Sequence, residues 1–70
     1  MNGDLARTLG QSLRKIRVER GFSQEGFADV LGVHRTYLGG LERGERNPTL
    51  RTVERLAEAL EVAALDLLRA

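Results

Sequence analysis

Residues 27–42 read FADVLGVHRTYLGGLE and contain the joint that decides the fold. Apolar residues at helical spacing lead up to Gly32, a residue type that often ends helices, and a new helical pattern begins at Arg35. Only Val33 and His34 separate the two patterns, and the apolar Val33 is suited to packing on the core. A sharp corner between two helices is therefore predicted, which fits a helix-turn-helix and equally a general αα-hairpin.

The rest of the chain has the same helical periodicity. Ser23 and Thr49 are candidate N-caps, while Gly21 and Gly44 are placed to end helices. We predict five helices, over about 5–20, 23–31, 35–42, 49–60 and 64–68. No segment alternates with a period of two residues, so we expect an all-α fold, one compact five-helix domain over residues 1–70.

Composition excludes several classes of function. The 70 residues include no cysteine and one histidine, His34, so neither a disulfide nor a multi-histidine metal site can form. No nucleophile–base pair, carboxylate pair or phosphate-binding glycine loop is recognisable, so we expect no enzyme activity, catalytic residue, cofactor or metal. No apolar run approaches membrane-spanning length, and the N-terminus lacks a signal-peptide pattern. We therefore expect a cytoplasmic protein with no membrane partner.

The charge pattern gives only a weak indication of the partner. The formal net charge is +1, too small to indicate a nucleic-acid binder. Ten of the eleven cationic side chains are arginines, which suit forked contacts with phosphates and guanine edges. The same bias is common in sequences from GC-rich genomes, so both explanations stay open.

The segment FSQEGFADVLGVHRTYLGGLERGERNPTLRTVERLAEALEV, residues 22–62, resembles the lambda-repressor/Cro-like helix-turn-helix family. The matching signature runs from Ser23-Gln24-Glu25 through Gly32-Val33 to Asn47-Pro48, and the resemblance covers residues 9–68. Within the family, the short length and the run HRTY…ERGERN look most like the controller proteins of restriction–modification systems. The resemblance implies a lambda-repressor-like DNA-binding domain that regulates transcription.

The family reads bases from the exposed start of its third helix, which falls here on Arg35 and Thr36. Arginine can donate a forked pair to guanine, and threonine can contact a thymine methyl group. Tyr37 either packs in the core only, or packs there beside Leu38 and Leu41 while its hydroxyl group contacts a phosphate. The full set of implied DNA-contact residues is Gln24, Arg35, Thr36, Tyr37, Gly39, Gly40, Arg46 and Asn47.

Two members of that set depart from the family pattern. Positions 39 and 40 often carry Ser and Gln, and here both are glycine, although glycine weakens a helix by about 1 kcal/mol relative to alanine. We predict that the missing side chains bring the helix backbone closer to the groove floor. The alternatives are packing against a neighbouring helix and a weakly constrained surface. Arg43 has a weaker claim to a DNA contact.

The resemblance also implies a structural ion pair and a dimer interface. Arg17 and Glu42 match a family pair that joins the first and third helices. Glu61 and Ala63 replace a frequent glycine and serine, so we expect the fourth helix to lack its usual cap and the fifth to be weak. The apolar C-terminus predicts a dimer surface, with a core lid as the alternative; the implied residues are Leu60, Val62, Leu65, Leu67 and Leu68.

The function implied is a homodimer on double-stranded DNA with a pseudo-palindromic operator, its half-sites about 34 Å apart. A controller would both activate and repress, with RNA polymerase as a further partner. At this length we expect no small-molecule ligand, so control would come through concentration and dimerisation. A phage- or antitoxin-type repressor is one alternative, and a protein-interaction module that has lost DNA binding is another.

Overall fold

The structure, a computed structural model, describes residues 3–69, and these form five α-helices. In chain order the helices are α1 Asp4–Glu19, α2 Gln24–Leu31, α3 Arg35–Glu42, α4 Leu50–Leu60 and α5 Ala64–Leu67. The predicted all-α, five-helix arrangement is confirmed, while residues 1, 2 and 70 of the predicted domain lie outside the described residues. None of the helices within residues 3–69 is long and apolar enough to cross a membrane.

Local hydrogen bonds fix where three of the helices begin. The Ser23 hydroxyl accepts from the Gly26 N–H at 3.0 Å, and the Thr49 hydroxyl accepts from the Thr52 N–H at 3.1 Å. His34 caps α3 in the same way, through Nδ1, which accepts from a backbone N–H of the first turn. Each cap satisfies one backbone donor that the helix itself cannot, so these boundaries follow from the sequence.

The first four helices each end in a left-handed residue. For α1, α2 and α3 this residue is a glycine, with φ between 71° and 78°, and for α4 it is Glu61, with φ 58°. After Glu61 the Val62 N–H donates to the Ala57 carbonyl at 3.0 Å, which completes a Schellman motif. The expectation that α4 lacks its usual cap was therefore wrong, because Glu61 adopts the conformation in spite of its side chain.

The core lies where all five helices meet. Its largest fully buried side chains are Phe27, Leu9, Leu13, Leu38, Leu41, Leu56, Leu60 and Leu67. Leu38 and Leu41 belong to α3, so this helix is packed on the core by one side while its other side remains at the surface. The αα corner between α2 and α3 is thus built as predicted, with Val33 in the turn packed against the core.

Helices α1 and α3 meet almost backbone to backbone at Gly10. A Cβ atom at this position would lie 2.7 Å from the Glu42 carbonyl oxygen, and closer still to that of Leu41. Only glycine allows such an approach, because both neighbours are main-chain atoms that cannot rotate away. This contact sets the distance between the two helices and fixes the depth of α3 in the domain.

Candidate nucleic-acid interface

The start of α3 presents Arg35 and Thr36 to solvent. Both residues are exposed, and they follow the tight turn that ends α2. An α-helix with its side chains is about 10–12 Å across, which fits the roughly 12 Å width of a B-DNA major groove. The two residues predicted to read bases therefore lie at an accessible helix end of suitable size.

An ion-pair network holds α3 from behind. Arg17 Nε donates to Glu42 Oε2 at 2.8 Å and Nη2 donates to Oε1 at 3.1 Å, so the pair is bidentate. The side chains are 15% and 4% exposed respectively. Arg17 also donates to the carbonyl of Phe22 at 3.2 Å, which ties the α1–α2 loop to the same group. The pair predicted from the sequence is present, and it joins α1 to the end of the recognition helix.

Gln24 belongs to this network as well. Its Nε2 donates to Glu42 Oε1 at 3.0 Å, so the start of α2 is bound to the end of α3. One of its two amide hydrogens is thereby engaged, and the DNA contact implied for Gln24 could use only the other. The structure adds a positioning role for Gln24 that the sequence did not indicate.

Tyr37 lies between the core and the exposed loop that follows α3. It is half-buried, and its ring packs against the core cluster. On its other side the Arg46 guanidinium carbon lies 5.2 Å from the ring centroid, within the range of a cation–π contact. Tyr37 thus connects the packed side of α3 to a cationic side chain at the surface, while its phosphate contact stays a prediction.

The two glycines of α3 are covered by arginine side chains. A Cβ atom at Gly39 would lie 3.2 Å from Arg43 Nη1, and one at Gly40 would lie 3.0 Å from Arg46 Nε. Both glycines are buried although they lie on the outward part of the helix. Arginine side chains from the end of the helix and from the loop beyond it occupy this space, and the close approach of the helix backbone to the groove floor stays a prediction.

The loop after α3 carries the remaining predicted contacts. Arg46 and Asn47 are exposed, and Arg43 Nε pairs with Glu45 Oε1 at 3.0 Å. Both partners of this pair are about 60% exposed, so it contributes little to stability. The Glu45 carboxylate occupies Arg43 Nε, and the weaker claim of Arg43 to a DNA contact stays a prediction.

The predicted dimer surface needs correction. Leu60 and Leu67 are 1% and 0% exposed, so they belong to the core of one chain and cannot contact a partner. Leu65 is 71% exposed, and Val62 and Leu68 are half-buried. The C-terminal helical segment is too short for its periodicity to show which leucines face the core and which face solvent.

Sequence reasoning also missed part of the exposed apolar surface. Leu5 and Leu50 are 64% and 76% exposed, and with Leu68 they line one groove between α1 and α4. Leu5 lies on the outward side of α1, and Leu50 directly follows the N-cap of α4. A large apolar residue at each of these solvent-facing positions was the signal available in the sequence.

Comparison with known proteins gives consistent matches. The helix-turn-helix family model matches residues 13–67. Control protein C.SmaI of Serratia marcescens is 43% identical over 65 residues, covering 93% of this chain and 77% of that protein. The crystal structure of the restriction–modification controller protein C.AhdI from Aeromonas hydrophila superposes with a TM-score of 0.78 at 42% identity, covering 89% of this chain and 94% of that one.

A third relative has been solved on DNA. The restriction–modification controller protein C.Esp1396I, a tetramer in complex with its natural 35 base-pair operator, superposes with a TM-score of 0.77 at 35% identity. The match covers 90% of this chain and 83% of that one. The resemblance to controller proteins is therefore confirmed, and the chain belongs to the helix-turn-helix family.

Proposed function

We propose that this protein is a transcriptional regulator of the controller type that binds a pseudo-palindromic operator as a homodimer. The observation that carries the proposal is the exposed pair Arg35 and Thr36, at the start of a helix fixed from behind. Leu38 and Leu41 hold α3 on the core, and Glu42 ties its end to α1. Because the helix is fixed in this way, its exposed side chains can contact base edges in a defined register.

The cations around α3 supply the less specific part of the interface. The cations Arg43 and Arg46 and the neutral Asn47 follow the helix, where contacts to phosphates would set the orientation of the domain. The low net charge of the whole chain does not oppose this role, because the cations that matter are local to one face. Binding of this kind weakens steeply as salt rises.

The homodimer would form through the exposed apolar groups near α5. Leu65 projects into solvent, and Leu5, Leu50 and Leu68 line the groove between α1 and α4. Exposed leucines that line one groove suit an interface between copies of the chain, because a two-fold axis would bury the same leucines of both copies. Two α3 helices about 34 Å apart could then enter successive turns of the major groove.

A regulator of this type acts where the DNA and RNA polymerase are, so we place it in the cytoplasm. The relative solved as a tetramer on a 35 base-pair operator supports binding at neighbouring sites. On that basis the protein would activate from one site through contact with RNA polymerase and repress from the other as its concentration rises. The relatives named above are regulators, and we expect no catalytic activity.

The test is binding to the DNA upstream of its own coding sequence, measured by fluorescence anisotropy against a scrambled duplex. Arg35→Ala should weaken binding to the operator by roughly 10- to 100-fold, as expected for a bidentate contact with guanine, and should reduce discrimination against the scrambled duplex. Its melting temperature should match the wild type, because Arg35 is exposed. Equal affinity for both duplexes in the wild-type protein would refute the proposal.

A further inference from the structure

The outward side of α3 is built from two glycines and two arginines that fit together. By helical periodicity, Gly39, Gly40 and Arg43 lie on the side opposite Leu38 and Leu41, where a recognition helix would present its side chains. Arg43 extends from the helix end and lies against Gly39, and the side chain of Arg46 lies across Gly40.

The path of the chain after α3 explains how Arg46 reaches back. Gly44 adopts a left-handed conformation, with φ 76°, and the Glu45 N–H donates to the Gly40 carbonyl at 2.9 Å. This hydrogen bond closes the Schellman motif at the end of the helix and reverses the chain. Arg46 is thereby placed over α3, where its Cγ would lie only 3.1 Å from a Cβ at position 40.

Each arginine makes one further contact there. The Arg46 guanidinium lies over the Tyr37 ring, 5.2 Å from its centroid, and Arg43 Nε pairs with the Glu45 carboxylate. Arginine side chains have many rotamers, and holding one in place before binding reduces the conformational entropy lost when it contacts a ligand. A glycine at position 40 is what leaves room for this placement.

We propose that Gly39 and Gly40 are positioning residues, which seat Arg43 and Arg46 along the outward side of α3 so that both guanidinium groups are ordered for DNA. We call the two glycines the glycine shelf. The proposal rests on the proposed function, since it assigns DNA as the ligand of the seated arginines. It also explains why the helix keeps two residues that weaken it.

The glycine shelf makes a prediction that close approach of the backbone does not. If Gly40 acts through Arg46, then a side chain at position 40 matters only while Arg46 is present. If the helix backbone itself must approach the DNA, the same side chain disturbs binding whether or not Arg46 is there. A double-mutant cycle distinguishes these two cases, because residues that act as a unit give non-additive effects.

The experiment measures operator affinity for Gly40→Ala, Arg46→Ala and the double variant. We expect Gly40→Ala to weaken binding roughly fivefold, Arg46→Ala roughly 20-fold, and the double variant to remain within about twofold of Arg46→Ala. The melting temperature of Gly40→Ala should equal or exceed that of the wild type, since alanine favours the helix. Arg14→Ala, which removes an exposed arginine from α1, controls for the loss of one charge and should leave affinity nearly unchanged.

A second measurement needs no DNA. In the wild-type protein the Arg46 side-chain protons should show upfield NMR shifts from the ring of Tyr37, the only tyrosine in a chain without tryptophan. Gly40→Ala should reduce these shifts, and Arg14→Ala should not. Absence of the shifts in the wild type would overturn the shelf directly.

The two proposals can fail separately. If the wild-type protein does not prefer its operator while the shifts respond to Gly40→Ala, the proposed function fails and the seating of Arg46 stands without its ligand. If the operator is bound and Gly40→Ala weakens binding equally in the Arg46→Ala background, the positioning role is overturned in favour of backbone approach. An unchanged affinity for Gly40→Ala overturns it as well.

Discussion

Gly10→Ala should destabilise the domain, although alanine is the better helix former by about 1 kcal/mol. The new Cβ would lie 2.7 Å from the Glu42 carbonyl oxygen, about 0.6 Å inside the shortest usual carbon–oxygen contact of ~3.3 Å. That oxygen is a main-chain atom on a packed helix, so relief requires α1 and α3 to separate. The substitution thus gains a little helix propensity at one residue and loses packing along the whole interface between α1 and α3.

The size of the loss follows from the leucines on this interface. When two packed groups separate by about 0.5–1 Å, they lose a quarter to a half of the dispersion energy between them. Leu9, Leu13 and Leu41 are 0–2% exposed, and each buried leucine contributes about 2 kcal/mol. Separation would then cost about 1.5–3 kcal/mol, and after the gain in helix propensity the net loss should be about 0.5–2 kcal/mol. For a domain of this size, which is stable by roughly 3–10 kcal/mol, that is a large fraction.

The matched control is Gly26→Ala in α2. Its Cβ would meet only Ser23 Oγ at 3.4 Å and Phe22 Cδ1 at 3.5 Å, which are ordinary contacts. The same substitution should therefore raise stability here by about 0.5–1 kcal/mol. Urea denaturation followed by circular dichroism measures both, at one fixed protein concentration because the proposed dimer would add to stability. If Gly10→Ala raises the midpoint as Gly26→Ala does, the helices do not meet as described.

Three further predictions test other parts of the structure. Glu61→Gly should raise the free energy of unfolding by about 1 kcal/mol in the same denaturation assay, because only glycine adopts the left-handed conformation without strain; an unchanged midpoint would contradict the strain. Glu42→Ala leaves Arg17 without its partner and should cost about 3 kcal/mol, the lower end for a buried pair because Arg17 keeps some exposure to water, seen as a lower melting temperature. Leu65→Glu should weaken dimerisation by roughly 100-fold in sedimentation equilibrium and leave helix content unchanged, whereas Val18→Glu, at another exposed apolar position, should leave the dimer intact.

The helix boundaries could be predicted from the sequence because they depend on local hydrogen bonds and backbone conformation. Ser23 and Thr49 cap through their own hydroxyl groups, and Gly21, Gly32 and Gly44 adopt the left-handed conformation that other residues avoid. Such signals act over three or four residues and do not require knowledge of the tertiary structure. The joint at Gly32 was predictable for the same reason.

The features that could not be predicted depend on contacts between distant segments. Helix α5 has four residues, too few for periodicity to show that Leu67 faces the core and Leu65 faces solvent. The seating of Arg46 depends on the chain reversal after α3, and a long side chain can point in many directions from the same backbone. In the sequence, Gly10 is a glycine inside a helical pattern. Such a glycine indicates that another backbone approaches the helix closely, but it does not indicate which one.

The firm anchoring of α3 has a consequence for the evolution of operators. Gly10 fixes the separation of α3 from α1, and Arg17 fixes its end through Glu42, so the helix has little freedom to tilt toward a displaced base pair. Adjustment to an imperfect site must then come from the DNA, whose dinucleotide steps differ in stiffness. Two sites with the same contacted bases should differ in their affinity for the protein according to how easily the uncontacted sequence between the half-sites bends. The spacer of the operator should therefore be under selection even where no side chain touches it.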